Sequence, residues 1–100
     1  MAITVENKDS IPGYVYLVDN DMDYKIGITN NPVRRGSSYV TENPRNKVID
    51  CIQVNTYREA EQIEQELIRK MRHLNSFTNS GEWQKRCPET MAIWKSVTSR

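Results

Sequence analysis

Polar side chains that can hold or transfer protons gather on one face of a hairpin near the start of the chain. The segments YVYLV and YKIGIT alternate as strands do, which separates aliphatic residues from a polar set around Gly27. A glycine in mid-strand weakens the strand and is typical of a place where something approaches the backbone closely. Both a solvated face and a functional face fit this pattern. The polar set consists of Tyr14, Tyr16, Lys25 and Thr29.

A second candidate for chemistry is Glu64, a carboxylate within the apolar stripe of a predicted helix. At about 100° per residue, Glu64 falls among the aliphatic positions of that helix. A carboxylate on a buried face is costly unless a cation, a metal or hydrogen-bond donors meet it. Two interpretations remain open: a structural salt bridge with Arg35 or Lys25, or a metal ligand that faces the polar side of the hairpin and Tyr16. The stripe contains Ala60, Ile63, Leu67, Ile68, Met71 and Leu74.

Together these residue types suffice to hydrolyse a phosphodiester, which needs a positioned nucleophile, neutralised phosphoryl oxygens and help for the leaving oxygen. Arg35 can hold a phosphate by two hydrogen bonds. Glu64 can hold one Mg²⁺ ion, which typically takes one or two carboxylates and keeps several waters. Tyr16 can orient or deprotonate the attacking water, although a phenol with an ordinary pKa of about 10 must be activated. Lys25 can supply that activation, act as an acid or contact the phosphate.

The elements that position these residues are predicted to form one α+β domain, in the order β-β-α-β-α-α, with a small, mainly antiparallel three-stranded sheet flanked by helices. The hairpin pairs about 13–18 with 24–29. Asn30 or Asn31 caps a short helix that begins with Pro32. The near-continuous apolar run KVIDCIQV predicts a third strand more buried than the hairpin, with Cys51 inside it.

The helix that carries Glu64 is predicted to begin at a capping box, TYRE, and to extend to about Leu74. NSFTNSGEW is loop-like, and PETMAIWKSV forms a closing helix with its apolar side chains inward. Residues 1–12 are predicted to be a flexible N-terminal arm, and residues 13–100 a single domain.

Composition excludes several classes of protein. The 100 residues carry a net charge of +1, without the basic excess of a dedicated nucleic-acid binder. Cys51 and Cys87 have neither disulfide nor zinc spacing, so we expect reduced thiols in a cytosolic compartment. No apolar run reaches the roughly 18 residues of a membrane span, and the charged N-terminus is unlike a signal peptide. The bases still cluster, which permits a local phosphate-binding surface: Arg34, Arg35, Arg45, Lys47, Arg69, Lys70, Arg72, Lys85 and Arg86.

The order of the motifs resembles the GIY-YIG nuclease superfamily, and most closely its short, phage-associated branch with a KIG-type second motif and a late GEW. The resemblance covers about residues 13–86: GYVY with Tyr16, YKIG with Gly27, an arginine eight residues later at Arg35, and EAEQIEQELI with Glu64. Lys25 replaces the tyrosine of the second motif, and the first-motif glycine is displaced to Gly13.

This resemblance implies a divalent-metal-dependent endonuclease that hydrolyses DNA, with Mg²⁺ or Mn²⁺ held by Glu64. It implies catalytic roles for Tyr16, Arg35 and Glu64, to which the chemistry of the residues adds Lys25. We also expect substrate contacts from Gly27, Tyr14, Arg34 and Arg45. DNA is the expected partner, membranes are not, and a homodimer or a separate partner would supply sequence recognition. The expected location is the cytoplasm, that of the host if a phage encodes the protein. The alternative is an inactive GIY-YIG-like module that binds nucleic acid or a protein.

Other residues allow further interpretations. Asp19, Asp21 and Asp23 imitate the start of a calcium loop, but Tyr24 stands where glycine is needed, so we expect a solvated turn. Cys51, His73 and Cys87 lack a local pair of zinc ligands. We expect Trp83 and Trp94 to pack in the core rather than stack on bases. Arg69–Arg72 fits either a solvated helix end or a contact along DNA, and Glu82 either a second ligand or a loop carboxylate.

Overall fold

Four strands and three helices, in the order β-β-α-β-α-β-α, form an α+β domain in the computed structural model of the protein, which describes residues 3–4, 6–74 and 83–99. The strands are β1 (Gly13–Asp19), β2 (Asp23–Thr29), β3 (Lys47–Val54) and β4 (Trp83–Lys85), and the helices are α1 (Pro32–Glu42), α2 (Tyr57–Met71) and α3 (Pro88–Thr98). A short 3-10 helix, Arg72–Leu74, follows α2. The sheet is antiparallel in every pair, with the strand order β3-β1-β2-β4.

The first hairpin forms as its alternation predicts, and its turn is held by local hydrogen bonds. Asn20 Oδ1 accepts from the backbone N–H groups of Met22 and Asp23, at 2.9 and 2.7 Å. Asp21 adopts a left-handed conformation, with φ of 72°, which Asp tolerates better than most residues. Since β2 and β3 are both antiparallel to β1, they run parallel to each other, and α1 is the crossover between them.

The two faces of the sheet have different neighbours. The aliphatic face of the hairpin, with Val15, Leu17 and Ile26, packs against α2 and α3. The other face carries Tyr16 and Val18, which are buried together with the partly buried Trp83. This division follows from the period of two along a strand. The buried members contributed by α2 and α3 are Ala60, Leu67, Met71, Trp94 and Val97.

Two sequence predictions about the sheet are wrong. The sheet has four strands rather than three, because Trp83–Lys85 pairs with Asp23–Lys25 along the outer edge of β2. The third strand is also not the buried one. It lies at the opposite edge, where Cys51 is exposed and Val48 and Ile49 are 41% and 43% exposed. Because β3 is an edge strand, its apolar run does not mark burial, and a bulge also interrupts its pairing with β1.

The closing helix is anchored to the edge strand by a buried tryptophan. The Trp94 indole is fully buried, and its Nε1–H donates to Asp50 Oδ2 at 2.7 Å. A buried indole N–H needs such a partner. The predictions that Trp94 packs in the core and that the cysteines are free are confirmed, and the described helices include none that is both long and apolar enough to span a bilayer.

The described part of the N-terminal segment lies against the start of α2. The carbonyl groups of Ile11 and Lys8 accept hydrogen bonds from the N–H groups of Tyr57 and Arg58, at 2.9 and 3.1 Å. These are among the helix N–H groups that have no partner within the helix. Thr56 Oγ1 accepts from the next one, Glu59 N, at 3.1 Å, as the capping box predicts. The flexibility of this segment stays a prediction.

Candidate active site

Tyr16 and Gly27 form the centre of the polar hairpin face. They are cross-strand partners in the β1–β2 ladder, and Tyr16 is 3% exposed. A methyl group placed on Gly27 would overlap the ring and hydroxyl of Tyr16. The sequence predicts close approach at Gly27, and the group that approaches is the phenol of Tyr16. Because the ring crosses Gly27, the Tyr16 hydroxyl lies over β2, on the face that also carries Lys25 and Thr29.

Lys25 lies two residues before Gly27 on the same face of β2. Its ammonium stands 5.7 Å from the centre of the Trp83 ring, within the range of a cation–π interaction. Trp83 is the cross-strand partner of Lys25 on β4 and packs against Tyr16 and Val18. The core role predicted for Trp83 is therefore correct, and the same residue also contacts a candidate catalytic side chain. Tyr14 lies farther along this face, half-buried and paired with Thr29.

Helix α1 presents two exposed arginines, Arg34 and Arg35, in its first turn. Asn31 caps this helix, since its Oδ1 accepts from Arg34 N at 3.1 Å. Arg34 and Arg35 border a cavity of about 290 Å³ at the junction of β2 and α1. Within the described ranges, neither guanidinium belongs to an ion pair. Both are therefore available for an anion.

Glu64 is half-buried on α2, as its place in the apolar stripe predicts. Burial raises the pKa of the Glu64 carboxyl above its usual range, the neighbouring Glu61 raises it further, and Lys25 opposes both. Among the described residues Glu64 forms no ion pair, so the predicted salt bridge with Arg35 or Lys25 is absent from this part of the chain. Such a carboxylate is compensated either by a proton or by an external cation.

Glu61 adds a second carboxylate to the same region. Lys8 Nζ lies 2.8 Å from Glu61 Oε1 and 3.1 Å from Oε2, but only the Oε2 contact has hydrogen-bond geometry. Oε1 is buried and has no hydrogen-bond partner among the described residues. Lys8 therefore already compensates the charge of Glu61, whereas the half-buried Glu64 beside it keeps carboxylate oxygens of the kind that Mg²⁺ prefers.

Tyr57, the first residue of α2, is a member of this group that the sequence analysis missed. Burial raises the pKa of the Tyr57 phenol, the charges of Glu61 and Glu64 raise it further, and Lys8 and Arg35 lower it. The phenol therefore lies within electrostatic range of the candidate metal ligand on α2 and of the arginine on α1. Residues 57, 61 and 64 share one helical face by their i, i+4, i+7 spacing, which is the signal that could have found Tyr57.

The structure does not bring every candidate into this group. Arg45 is exposed in the loop between α1 and β3, where its N–H donates to Asn43 Oδ1. Its contact with substrate stays a prediction. So does the direct approach of Glu64 to Tyr16: α2 packs on the aliphatic face of the sheet, while the charge of Lys25, on the Tyr16 face, still acts on Glu64. Glu82 lies outside the described residues, and so does the His73 side chain.

The three hairpin aspartates do not assemble into a metal site. Asp19 instead pairs with Arg86, whose Nε and Nη2 donate to its two carboxylate oxygens at 3.0 and 3.2 Å. Hydrogen bonding by Arg86 is the main cause that lowers the pKa of Asp19. Across the described residues, no group of three or more His, Cys, Asp or Glu side chains could hold a metal. The solvated-turn interpretation of this segment agrees with these contacts.

The profile of the T5orf172 domain matches residues 13–96 of the chain. The chain belongs to the T5orf172 domain family. The T5orf172 domain is GIY-YIG-like and nuclease-related, so the resemblance carried by Tyr16, Gly27, Arg35 and Glu64 is confirmed at this level. The match includes these four residues and leaves out Lys8. Comparisons with curated proteins and with solved structures give no match.

Proposed function

We propose that this T5orf172 domain is a divalent-metal-dependent endonuclease that hydrolyses DNA phosphodiester bonds. The observation that carries the proposal is Glu64, a half-buried carboxylate on α2 that forms no ion pair among the described residues. The exposed Arg35 of α1 offers a cationic group for phosphate, and the charges of both residues act on the Tyr57 phenol. The family supports the nuclease class, and the GIY-YIG-type enzyme with DNA as substrate is our extension of it.

The proposed reaction is the attack of water on phosphorus. The oxygen of water bonds to phosphorus and the bond from phosphorus to the leaving oxygen breaks. One proton of the water passes to a base, the other stays on the new phosphate oxygen, and the leaving oxygen takes one proton from an acid, so that protons balance. Arg35 binds the non-bridging oxygens, where negative charge increases in the transition state. Tyr16 orients the attacking water. Lys25, on the same face of the sheet, adds positive charge beside the Tyr16 phenol and the bound phosphate.

The implied cation fits the acidic side of the site. Glu64 would hold it; Glu61 lies on the same helical face and is paired with Lys8. When bound, it supplies Lewis-acid stabilisation of the phosphoryl oxygens and of the leaving oxygen. Glu64 is poised for this role because burial weakens its hydration, while no described lysine or arginine is close enough to form an ion pair with it.

A second candidate function, a module that binds nucleic acid or a protein without cleavage, is favoured by one specific contact. The Lys25 ammonium is directed to the Trp83 ring, so Lys25 has a structural partner that needs no substrate. In such a module the charge of Glu64 would be compensated within the chain. The two functions therefore differ in what a divalent cation does to stability.

A thermal melt with and without metal separates the two functions. If Glu64 binds Mg²⁺ in the folded chain, 10 Kd of free Mg²⁺ adds about 1.4 kcal/mol, and a domain of this size gains several degrees in melting temperature, on the order of 4–8 °C per kcal/mol. Glu64→Gln should abolish that gain. Glu42→Gln is the matched control, because it removes an exposed carboxylate from α1. A wild-type melting temperature unchanged by Mg²⁺ and Mn²⁺ would favour the binding module.

A further inference from the structure

The cavity beside α1 is lined by polar side chains from two elements. Thr29, Asn30 and Asn31 come from the end of β2 and the connection that follows, and Arg34, Arg35 and Ser38 come from α1; together they enclose about 290 Å³. Two of these six residues are cationic and none is anionic. No carboxylate of the described residues pairs with either guanidinium. The chemistry of the lining therefore selects an anion that can accept several hydrogen bonds.

Side chains supply most of the donors that an anion would meet, because the backbone N–H groups of Asn31, Arg34 and Arg35 already have acceptors. Asn31 Oδ1 already accepts from Arg34 N, at 3.1 Å, and the Asn31 carbonyl accepts from Arg35 N, at 3.2 Å. Thr29 Oγ1 accepts from Asn31 N at 3.0 Å and donates to the Asn31 carbonyl at 3.3 Å. The side-chain groups left to face the cavity include the two guanidinium forks, the Asn30 amide, the Asn31 NH₂ group and the Ser38 hydroxyl.

We propose that this cavity binds a phosphate of the DNA backbone next to the one that is cleaved, and that Arg34 is its main ligand. The inference rests on the proposed function, because it assigns Arg35 to the scissile phosphate. Consecutive helical residues point about 100° apart, so Arg34 and Arg35 can contact different phosphates of one strand. Both arginines line the cavity, and the charge of Arg35 also reaches the Tyr57 phenol on α2.

A phosphate group could come from a nucleic-acid backbone or from a free phosphate ion. We assign the cavity to the nucleic-acid backbone. The cavity is open to solvent beside an exposed helix, with Arg34, Arg35 and Ser38 all exposed. These exposed cationic side chains continue into the rest of the candidate site, which fits the continuous backbone of a DNA strand. Such contacts fix the register of the substrate and carry no sequence information.

The test is a binding assay in EDTA, so that it does not depend on cleavage. A fluorescent DNA duplex is titrated with wild-type protein, Arg34→Ala and the control Lys95→Ala, which removes an exposed charge from α3. Arg34→Ala should weaken binding about tenfold on every sequence and reduce the salt slope of log K by about 0.9, as expected for the loss of one phosphate contact. Lys95→Ala should change neither quantity appreciably.

A second arm identifies the phosphate and its source. Single phosphates of the duplex are replaced in turn by neutral methylphosphonates. Wild type should lose affinity at a position next to the cleavage position, and Arg34→Ala should lose nothing further there, because the two changes remove the same contact. Equal losses in both proteins at every position would overturn the proposal. A second result would also overturn it. In that result the two proteins bind the duplex equally, while millimolar inorganic phosphate raises the melting temperature of wild type but not of Arg34→Ala.

The two proposals fail in different ways. If the chain does not cleave DNA but the methylphosphonate effect depends on Arg34, the nuclease proposal fails and the phosphate site stands. If the chain cleaves DNA while Arg34→Ala binds and cleaves like wild type, the phosphate site fails and the nuclease proposal stands.

Discussion

The phenol of Tyr16 lies across Gly27, its partner on the neighbouring strand, in space that any Cβ atom would occupy. A residue of β1 thereby carries its hydroxyl over β2, to the face where Lys25 also lies. Gly27 is thus required by a side chain of the same chain, before any substrate is considered. This contact couples the stability of the hairpin to the position of a candidate catalytic group.

Gly27→Ala should therefore damage both stability and activity. The added methyl must displace the Tyr16 ring, and overpacking of this kind costs about 1–3 kcal/mol. Urea unfolding gives the change in free energy. Gly36→Ala is the matched control, because a methyl there meets only Val48 Cγ2, at 3.9 Å. In helix α1 it should stabilise by about 0.5–1 kcal/mol. Equal effects of the two substitutions would refute this account of Gly27.

Glu64 should make the metal-free protein less stable as the pH rises. Its pKa in the folded chain is raised, so the stability that its protonated form contributes is complete below the ordinary value near 4.5 and is lost as the pH rises through the folded value. Glu64→Gln should therefore melt higher than wild type at pH 7, and the difference should shrink toward pH 4. Melts in EDTA across this range measure it. A Glu64→Gln variant that melts lower than wild type at pH 7 would indicate an internal cation partner.

Asp19 should have the opposite dependence on pH. Its pKa is lowered, chiefly by the hydrogen bonds from Arg86, so the pair stabilises the fold above the ordinary carboxyl value and loses that effect as the pH falls through the folded value. Asp19→Asn should melt lower than wild type at pH 7 and approach it in acid. Ca²⁺ should leave both melting temperatures unchanged. A calcium-dependent rise in the wild type alone would restore the calcium-loop interpretation.

Asp50 should contribute more to the free energy of unfolding than its exposed position on an edge strand suggests. Asp50→Ala leaves the fully buried Trp94 N–H without its partner, which costs about 1–3 kcal/mol. Asp50→Asn keeps an acceptor oxygen and should recover most of that loss. Denaturant unfolding with tryptophan fluorescence measures both. If the alanine and asparagine variants are equally stable, the hydrogen bond is not what anchors α3 to β3.

Tyr57→Phe should keep the fold and slow the proposed reaction. The ring remains, while the hydroxyl between the Arg35 and Glu64 charges is lost. If the hydroxyl makes one hydrogen bond to bound substrate, its loss is worth about 0.5–1.5 kcal/mol, or up to about tenfold in kcat/KM. Steady-state cleavage beside a thermal melt separates the two effects. A variant with the wild-type rate would limit Tyr57 to a packing role.

The parts of the fold that local pattern determines were predictable. The hairpin faces follow from strict alternation, and α2 follows from the Thr56 cap and the spacing of its apolar residues. The half-burial of Glu64 follows from the same spacing. In each case the interactions that determine the structure lie within a few residues of one another, so they can be predicted from the local sequence.

The parts that depend on distant contacts were not predictable. β4 has three residues, too few for a period, and exists because it pairs with β2. The apolar run of β3 fits an edge strand as well as a buried one, and only the strand order decides. The Lys8–Glu61 pair spans 53 positions, so nothing local indicates it. The role of Tyr57 depends in turn on where α1 places Arg35.

The central claim is that Arg35 and Glu64 act together in metal-dependent cleavage of DNA. The most direct measurement is single-turnover cleavage of labelled DNA with saturating Mg²⁺ or Mn²⁺, by wild type, Arg35→Ala, Glu64→Gln and the control Glu42→Gln, each shown to be folded by circular dichroism. Wild type and Glu42→Gln should cleave equally, Arg35→Ala should be slower by about 10²–10³, and Glu64→Gln should be inactive. Folded wild-type protein that cleaves no DNA with either metal, or Glu64→Gln that cleaves as fast as wild type, would contradict the claim.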